Sequence, residues 1–483
     1  MRPSDVQKVL ALAHAPNITK IFGPSLSADA GIYLASDANY SVQVSQRWSI
    51  HAAPSYIGTI KPATIEDVQN IVKIAPKHDI PFLVTGGGHG ISSHLASLQD
   101  GLQIDLANFN SVEFDASTAQ LTVGGAAKFS QINDILYDSG YQFPIGTAPC
   151  VGILGATLGG GVSANQGRFG LLVDLLESVE IVTPSGDAVN ASRTENSDLF
   201  WGLRGAGANF GIVTSAVFKV PKAVNNGNVV NANYFFPAHQ VGSVFKVLRS
   251  LDSEFPEDLA LNIFTSYDPK SDQIFMLLNV NYYGPTAEAS PYLEKFDALE
   301  PLRSEILTVP WTHVFETSYF GVDDTKACGR RQHINMYSIA ARKTDALALE
   351  SFANDLLDFS RTNNNITTSL VVHRFATQAV LRVPDEDSAY PYRNVQMHIQ
   401  LEAELHDGRQ DHDVDVFLQP ARAKLNEGNG FDSKSVYVNF AHGDEGAETW
   451  YGVRKLEKLG RLKSKWDPND LFSFYNPVPP RSS

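Results

Sequence analysis

The stretch LVTGGGHGISS, Leu83 to Ser93, sets three glycines and a histidine directly after a short apolar run. Glycines let a backbone approach another group closely. Histidine is reactive and titrates near neutral pH. Upstream, PATIEDVQNIVKIAPKH reads as a helix. Thr64 is a candidate N-cap, Glu66 and Asp67 sit in the first turn, and Val68, Ile71, Val72 and Ala75 recur at helical spacing. PFLVT then reads as a buried strand that ends at the glycines. Downstream of the glycines, SSHLASLQDGLQIDL reads as loop and strand. A dinucleotide fingerprint needs strand, glycine turn and helix in that order, so a nicotinamide-type fold is not expected.

The chain has 483 residues, enough for two or three domains. Its formal net charge of −15 disfavours a nucleic-acid partner. No run reaches the roughly 18 apolar residues of a transmembrane helix, so no membrane partner is expected. MRPSDVQKVLALAHA reads as a first domain helix, not a signal peptide. Sequons at Asn17, Asn39, Asn190 and Asn365 weakly favour secretion over a cytoplasmic location. Two cysteines, Cys150 and Cys328, exclude a disulfide scaffold and a multi-cysteine metal site. No metal is expected, and His94 and His333 read as isolated.

Two further glycine clusters lie downstream. GTAPCVGILGATLGGGVSANQGRFG spans Gly146 to Gly170, and NSDLFWGLRGAGANFGIVTSAVFKV ends in a strand. Between them ESVEIVTPSGDAVNAS reads as a hairpin with a PSGD turn. QLTVGGAA reads as a strand with a glycine turn, and SQINDILYDSGYQFP as an amphipathic helix ending near Gly140. Glycine amides can converge on phosphate oxygens, and three such loops suit a large pyrophosphate-bearing ligand. From about Pro221 alternating strands such as IFMLLNVNYY mix with helices such as TDALALESFANDLLDF. This marks a second domain. YVNF and LFSFYNPVPP form a closing segment.

The motifs LVTGGGHGISS, VGILGATLGGG, SANQGRFGLLVDLLESVEIVTPSGDAV, NSDLFWGLRGAGANFGIVT and WDPNDLFSFYNPVPP resemble, in order, FAD-linked oxidases of the vanillyl-alcohol oxidase superfamily, berberine-bridge-enzyme-like branch. The resemblance covers nearly the whole chain and is weakest in the middle. It implies an α+β fold: a PCMH-type FAD-binding domain in two subdomains, plus a substrate domain with a sheet covered by helices. The implied boundaries are 1–53 for an N-terminal segment, 54–222 for the FAD domain, 223–433 for the substrate domain and 434–483 for the closing segment. It implies that His89 is bonded covalently to the 8α-methyl of the flavin. Cofactor contacts are implied along the histidine loop at Thr85, Gly86, Gly87, Gly88, Gly90 and Ser92. The second cluster adds Thr147, Val151, Gly152, Gly155, Gly159, Gly160, Gly161 and Asn165. Gly211, Ile212 and Val213 come next, and Tyr437, Asn439, Tyr475 and Asn476 close the set.

The chain departs from the family at three points. Relatives with a second, cysteinyl flavin link read Gly-Thr-Cys-Pro-Xaa-Val-Gly; here the stretch is GTAPCVG, so Ala148 holds the tethering place. A single link through His89 is expected, with Cys150 a small packed residue. Thr85 stands where relatives often have arginine, and Phe440 where they often have tyrosine. Val151 matches a position that goes with oxidase behaviour. Alternation along VQMHIQLE puts Gln396, His398, Gln400 and Glu402 on one face. His398 and Gln400 lead the catalytic candidates, with Tyr437, while Tyr319 and Phe320 read as core. The implied activity is oxidation of a small secondary-metabolite-type alcohol or amine by hydride transfer to FAD, with O2 as electron acceptor and H2O2 as product. An oligosaccharide oxidase and a non-redox isomerase or cyclase on the same fold are the alternatives. Substrate identity and oligomeric state are not legible.

Overall fold

The computed structural model describes residues 16–146, 148–321, 325–406 and 408–481. The proposed first helix and Thr147 therefore lie outside the described residues. The strand ending at the glycines is the last of a four-stranded sheet. Its strands are β1 (Gly31–Leu34), β2 (Tyr56–Lys61), β3 (Phe82–Thr85) and β4 (Gly101–Asp105), in the order β1-β2-β4-β3. β2, β4 and β3 run parallel, and β1 is antiparallel. The helix Ile65–Ile74 connects β2 to β3 and closes a capping box between Thr64 and Asp67. Val68, Ile71 and Val72 bury its apolar face with Ile60, Leu102 and Ile104.

The second sheet has the order β5-β6-β9-β7-β8 and is antiparallel throughout. Its strands are β5 (Val112–Asp115), β6 (Gln120–Gly124), β7 (Leu176–Val182), β8 (Ala188–Ser192) and β9 (Ile212–Lys219). The PSGD turn joins β7 to β8 with Gly186 at φ +80°.

The third sheet has seven antiparallel strands in the order β13-β10-β12-β11-β15-β16-β14. These are β10 (Asn228–Pro237), β11 (Leu259–Asp268), β12 (Gln273–Tyr282), β13 (Arg303–Pro310), β14 (His333–Ala341), β15 (Ile366–Phe375) and β16 (Met397–Leu405). One face carries apolar side chains such as Ile399, Leu401, Leu370 and Val372. They pack under the helices Val241–Ser250, Ala346–Thr362 and Asp411–Glu427. The period of two sends the intervening residues to the other face, among them His373, His398, Gln400 and Glu402. That face looks toward the glycine loops.

The closing segment returns to the first unit through a buried ion pair. Lys463 and Asp467 are fully buried, 2.7 Å apart. Lys463 Nζ also donates to the Phe472 carbonyl at 2.9 Å and the Asn209 carbonyl at 3.2 Å. Asp467 accepts the amides of Leu471 and Phe472, each at 2.9 Å. The pair thus ties the helix Val453–Trp466 to the turn at Asn209. Removing one partner leaves a buried charge uncompensated. Lys463→Met is expected to destabilise the protein by about 3–5 kcal/mol, read as a lower urea midpoint at unchanged slope.

Candidate functional site

A cavity of about 600 Å³ opens between the glycine loops and the polar face of the seven-stranded sheet. The histidine loop forms one wall, and its path depends on missing side chains. A Cβ at Gly87 would lie 2.5 Å from the Gly152 amide nitrogen, too close for any side chain there without a backbone shift. Gly88 has φ +74°, and its carbonyl accepts the Trp48 amide at 2.9 Å. The Trp48 ring stacks on His89 at 5.9 Å with 18° between planes. Arg330 donates to the Gly87 carbonyl at 2.9 Å, and Arg47 to the Gly90 carbonyl. Ser92 Oγ donates to Asn476 Oδ1 at 2.7 Å, which joins the loop to the closing segment.

His89 lines the cavity, and its Nε2 is buried without a hydrogen-bond partner. Burial lowers its pKa to about 3, and the nearby cations Arg330, Lys128 and Arg47 add to the shift. The ring is therefore neutral at physiological pH and keeps a nucleophilic nitrogen lone pair. A neutral imidazole with an orphaned nitrogen, set in a loop without side chains, fits the edge of a large planar cofactor.

Most of the expected cofactor residues meet on this cavity. Thr85, Gly86, Gly87, Gly88 and Gly90 line it with His89, and Val151, Gly152, Gly155 and Gly159 form the adjoining wall. Gly211, Ile212, Val213, Tyr437, Asn439 and Tyr475 line it too. Ser92, Gly160, Gly161, Asn165 and Asn476 are not among the lining residues. Tyr437 Oη accepts the Gly161 amide at 3.1 Å and the Asn439 amide group at 2.8 Å, and donates to the Ala156 carbonyl at 3.2 Å. Its hydroxyl is thus occupied by the second glycine cluster.

On the opposite wall Gln400, Glu402 and Glu404 of β16 face the cavity beside Thr367, Ser369 and His373 of β15. Ser369 Oγ donates to Glu402 Oε2 at 3.4 Å. His398 is not among the lining residues. It is 2 % exposed and packs against Tyr437 and Phe440, with ring separations of 5.7 and 6.0 Å. Gln396 precedes the strand, and its buried Oε1 has no partner.

Three sequence expectations need correction. Cys150 is not a lone packed thiol: it forms a disulfide with Cys328, because the loop after Ala148 meets the loop before β14 at the cavity rim. Tyr319 is not core: it lines the cavity from a turn at φ +53°. His333 is not isolated, since it bonds Asp411 at 2.9 Å. Trp48, Arg47 and Arg330 carried no local signal, because each reaches the site from a segment without a motif.

The chain matches the sequence profile of an FAD binding domain over residues 57–192, and that of berberine and berberine like proteins over 436–479. It is 44% identical to the FAD-linked oxidoreductase tazG of Aspergillus terreus, over 98% of this chain and 97% of that protein. The chain belongs to the berberine-bridge-enzyme-like FAD-linked oxidoreductases. A second relative of this family, the FAD-linked oxidoreductase azaL of Aspergillus niger, is 42% identical over 94% of this chain and 97% of its own length. Solved structures share the fold. Physcomitrella patens BBE-like 1 superposes with a TM-score of 0.84 at 21% identity, covering 97% of this chain and all of that one. The xylooligosaccharide oxidase of Myceliophthora thermophila C1 gives 0.82 at 23%, with the same coverage. The protein is thus an FAD-linked enzyme with the expected α+β fold. Among the described residues, no helix is long and apolar enough to cross a membrane.

The site buries neutral histidines. Burial lowers His373 to about 4 and His398 to about 3, with His373 adding to the shift of His398. The unfolded chain takes up these protons below a pKa of 6.5, and the fold does not. Their contribution is therefore complete above that pH and is lost as pH falls toward the folded values. Unfolding free energy is expected to drop between about pH 6.5 and about pH 5, before most carboxylates titrate. His398→Gln should flatten this slope in urea titrations.

Proposed function

We propose that this berberine-bridge-enzyme-like protein is an oxidase with FAD linked covalently through His89, acting on a small secondary-metabolite-type alcohol or amine. The observation that carries the reading is the buried, neutral His89 ring with an unpartnered nitrogen on the cofactor wall. Bound at this wall, FAD would supply a hydride acceptor for the substrate, with O2 as the onward electron acceptor and H2O2 as the product. The chain's own residues hold and orient. The glycines at Gly86 to Gly88 and Gly152 to Gly159 admit the cofactor, and Trp48 backs the histidine. Only His89 bonds the flavin: Ala148 has no thiol, and Cys150 is engaged with Cys328.

The substrate lies against β15 and β16. Phe264, Tyr319 and Phe375 supply apolar surface there, and Gln400, Ser369 and Glu402 supply polar contacts. This mixture suits an aromatic or partly polar alcohol or amine. Glu402 is the proton acceptor for the substrate O–H or N–H, held by Ser369, with Gln400 two residues away on the same face. His398 and Tyr437 act as support, since one is shielded from the cavity and the other is fully hydrogen-bonded. The disulfide and the sequons support maturation along a secretory route.

Screening aromatic alcohols, amines and oligosaccharides with a peroxide-coupled assay tests the substrate class. The reading expects H2O2 with the first two. Peroxide from oligosaccharides alone would favour the sugar oxidase, and product formed without O2 or flavin bleaching would favour an isomerase or cyclase. Glu402→Gln is expected to keep its flavin and lower kcat by roughly 10²–10⁴-fold, measured by stopped-flow flavin reduction.

A further inference from the structure

Away from the cavity wall, His51, His333 and Asp411 converge from three separate parts of the chain. His51 lies in the segment before β2, His333 opens β14, and Asp411 begins the helix Asp411–Glu427. His51 Nδ1 lies 3.1 Å from Asp411 Oδ1. His333 Nε2 lies 2.9 Å from Oδ1 and 3.0 Å from Oδ2 of the same carboxylate. One atom from each residue falls within a 4.8 Å span. The two rings stand at 74° to each other, with centroids 5.5 Å apart.

We propose that His51, His333 and Asp411 form a binding site for a divalent transition-metal ion of the zinc type. Two imidazoles and one carboxylate are the donor set of zinc, nickel and copper sites, and disfavour magnesium or calcium, which prefer oxygen alone. A tetrahedral ion with bonds of about 2.0–2.1 Å needs donors about 3.3 Å apart; Asp411 already stands 3.1 Å from the His51 nitrogen and 2.9 Å from that of His333, and the three donor atoms lie within 4.8 Å of one another. The side chains of His51 and His333 are 11% and 12% exposed, and that of Asp411 28%. The imidazoles are thus fixed by packing while the carboxylate side stays open to an arriving ion and to a water as fourth ligand. Gly408 closes another side: a Cβ there would lie 3.0 Å from both the His333 ring and Asp411 Oδ2.

The placement gives the ion a structural task. The segment carrying His51 pairs with the start of β14, through the Ser49–Gln332 bridge and the Ile50 amide on the Gln332 carbonyl at 2.8 Å. That segment also carries Trp48, which is bonded to Gly88 and stacked on His89. An ion at the triad braces the joint between the flavin loop and the substrate sheet.

The test uses the flavin-loaded enzyme, stripped with chelator and dialysed against Zn2+ with elemental analysis. The expected result is one saturable Zn2+ per chain, no Mg2+ bound under the same conditions, and a higher thermal midpoint with Zn2+. Asp411→Asn and His51→Gln are each expected to weaken Zn2+ binding at least tenfold and to abolish the midpoint shift, with flavin content unchanged. Either variant suffices if the other fails to fold. Absence of saturable Zn2+ binding in the parent, or equal binding in a folded variant, overturns the proposal and leaves Asp411 as a hydrogen-bond bridge between two rings.

Discussion

The structure depends on a close approach between backbones that no side chain could share. Gly87 meets Gly152 and Gly86 meets Gly125 at distances where a Cβ would overlap main-chain atoms. This contact sets the loop after β3, in the four-stranded sheet, directly against the antiparallel five-stranded unit. His89 comes two residues later, so its position is fixed by steric necessity. Trp48 and Arg330 then hold the loop from the outer side, and Asn476 of the closing segment holds it through Ser92.

That fixed point determines the chemistry of the cavity. One wall is nearly bare backbone, which suits a large planar cofactor. The other is a strand face whose alternation separates a helix-covered apolar side from a polar one, and presents Gln400, Glu402 and Ser369 across the cavity from His89. Burial keeps His89, His373 and His398 neutral, so the enclosed space avoids uncompensated positive charge. Buried ion pairs handle the charges the fold does enclose. Arg393 and Asp174, 2.8 Å apart and nearly inaccessible, tie the loop before β16 to the short helix Leu172–Leu175 that follows the second glycine cluster, and Lys463 and Asp467 anchor the closing helix.

The flavin side of the molecule was legible in the sequence because its constraints are local. Glycine at Gly87 or Gly152 is required by backbone proximity, and such requirements leave a readable pattern. The helix cap at Thr64 and the PSGD hairpin are equally local and formed where the residues indicated. The substrate side was less legible because its residues meet only through sheet pairing. Alternation along β16 placed Gln400 and Glu402 on the cavity face, but could not show that Phe440 and Tyr437 cover His398. Nothing near Cys150 marked Cys328, which lies 178 residues away. Tyr319 depends on a left-handed turn that its sequence does not announce, and His333 gains its partners from two distant segments.

The proposed covalent bond between His89 and FAD is the central claim. The most direct measurement is to denature the purified protein in acid, separate the chain from small molecules, and read the flavin absorbance that stays with it, in the parent and in His89→Ala. The account predicts yellow polypeptide in the parent and colourless polypeptide in the variant. Colour that washes away from the parent, or that persists in the variant, contradicts it.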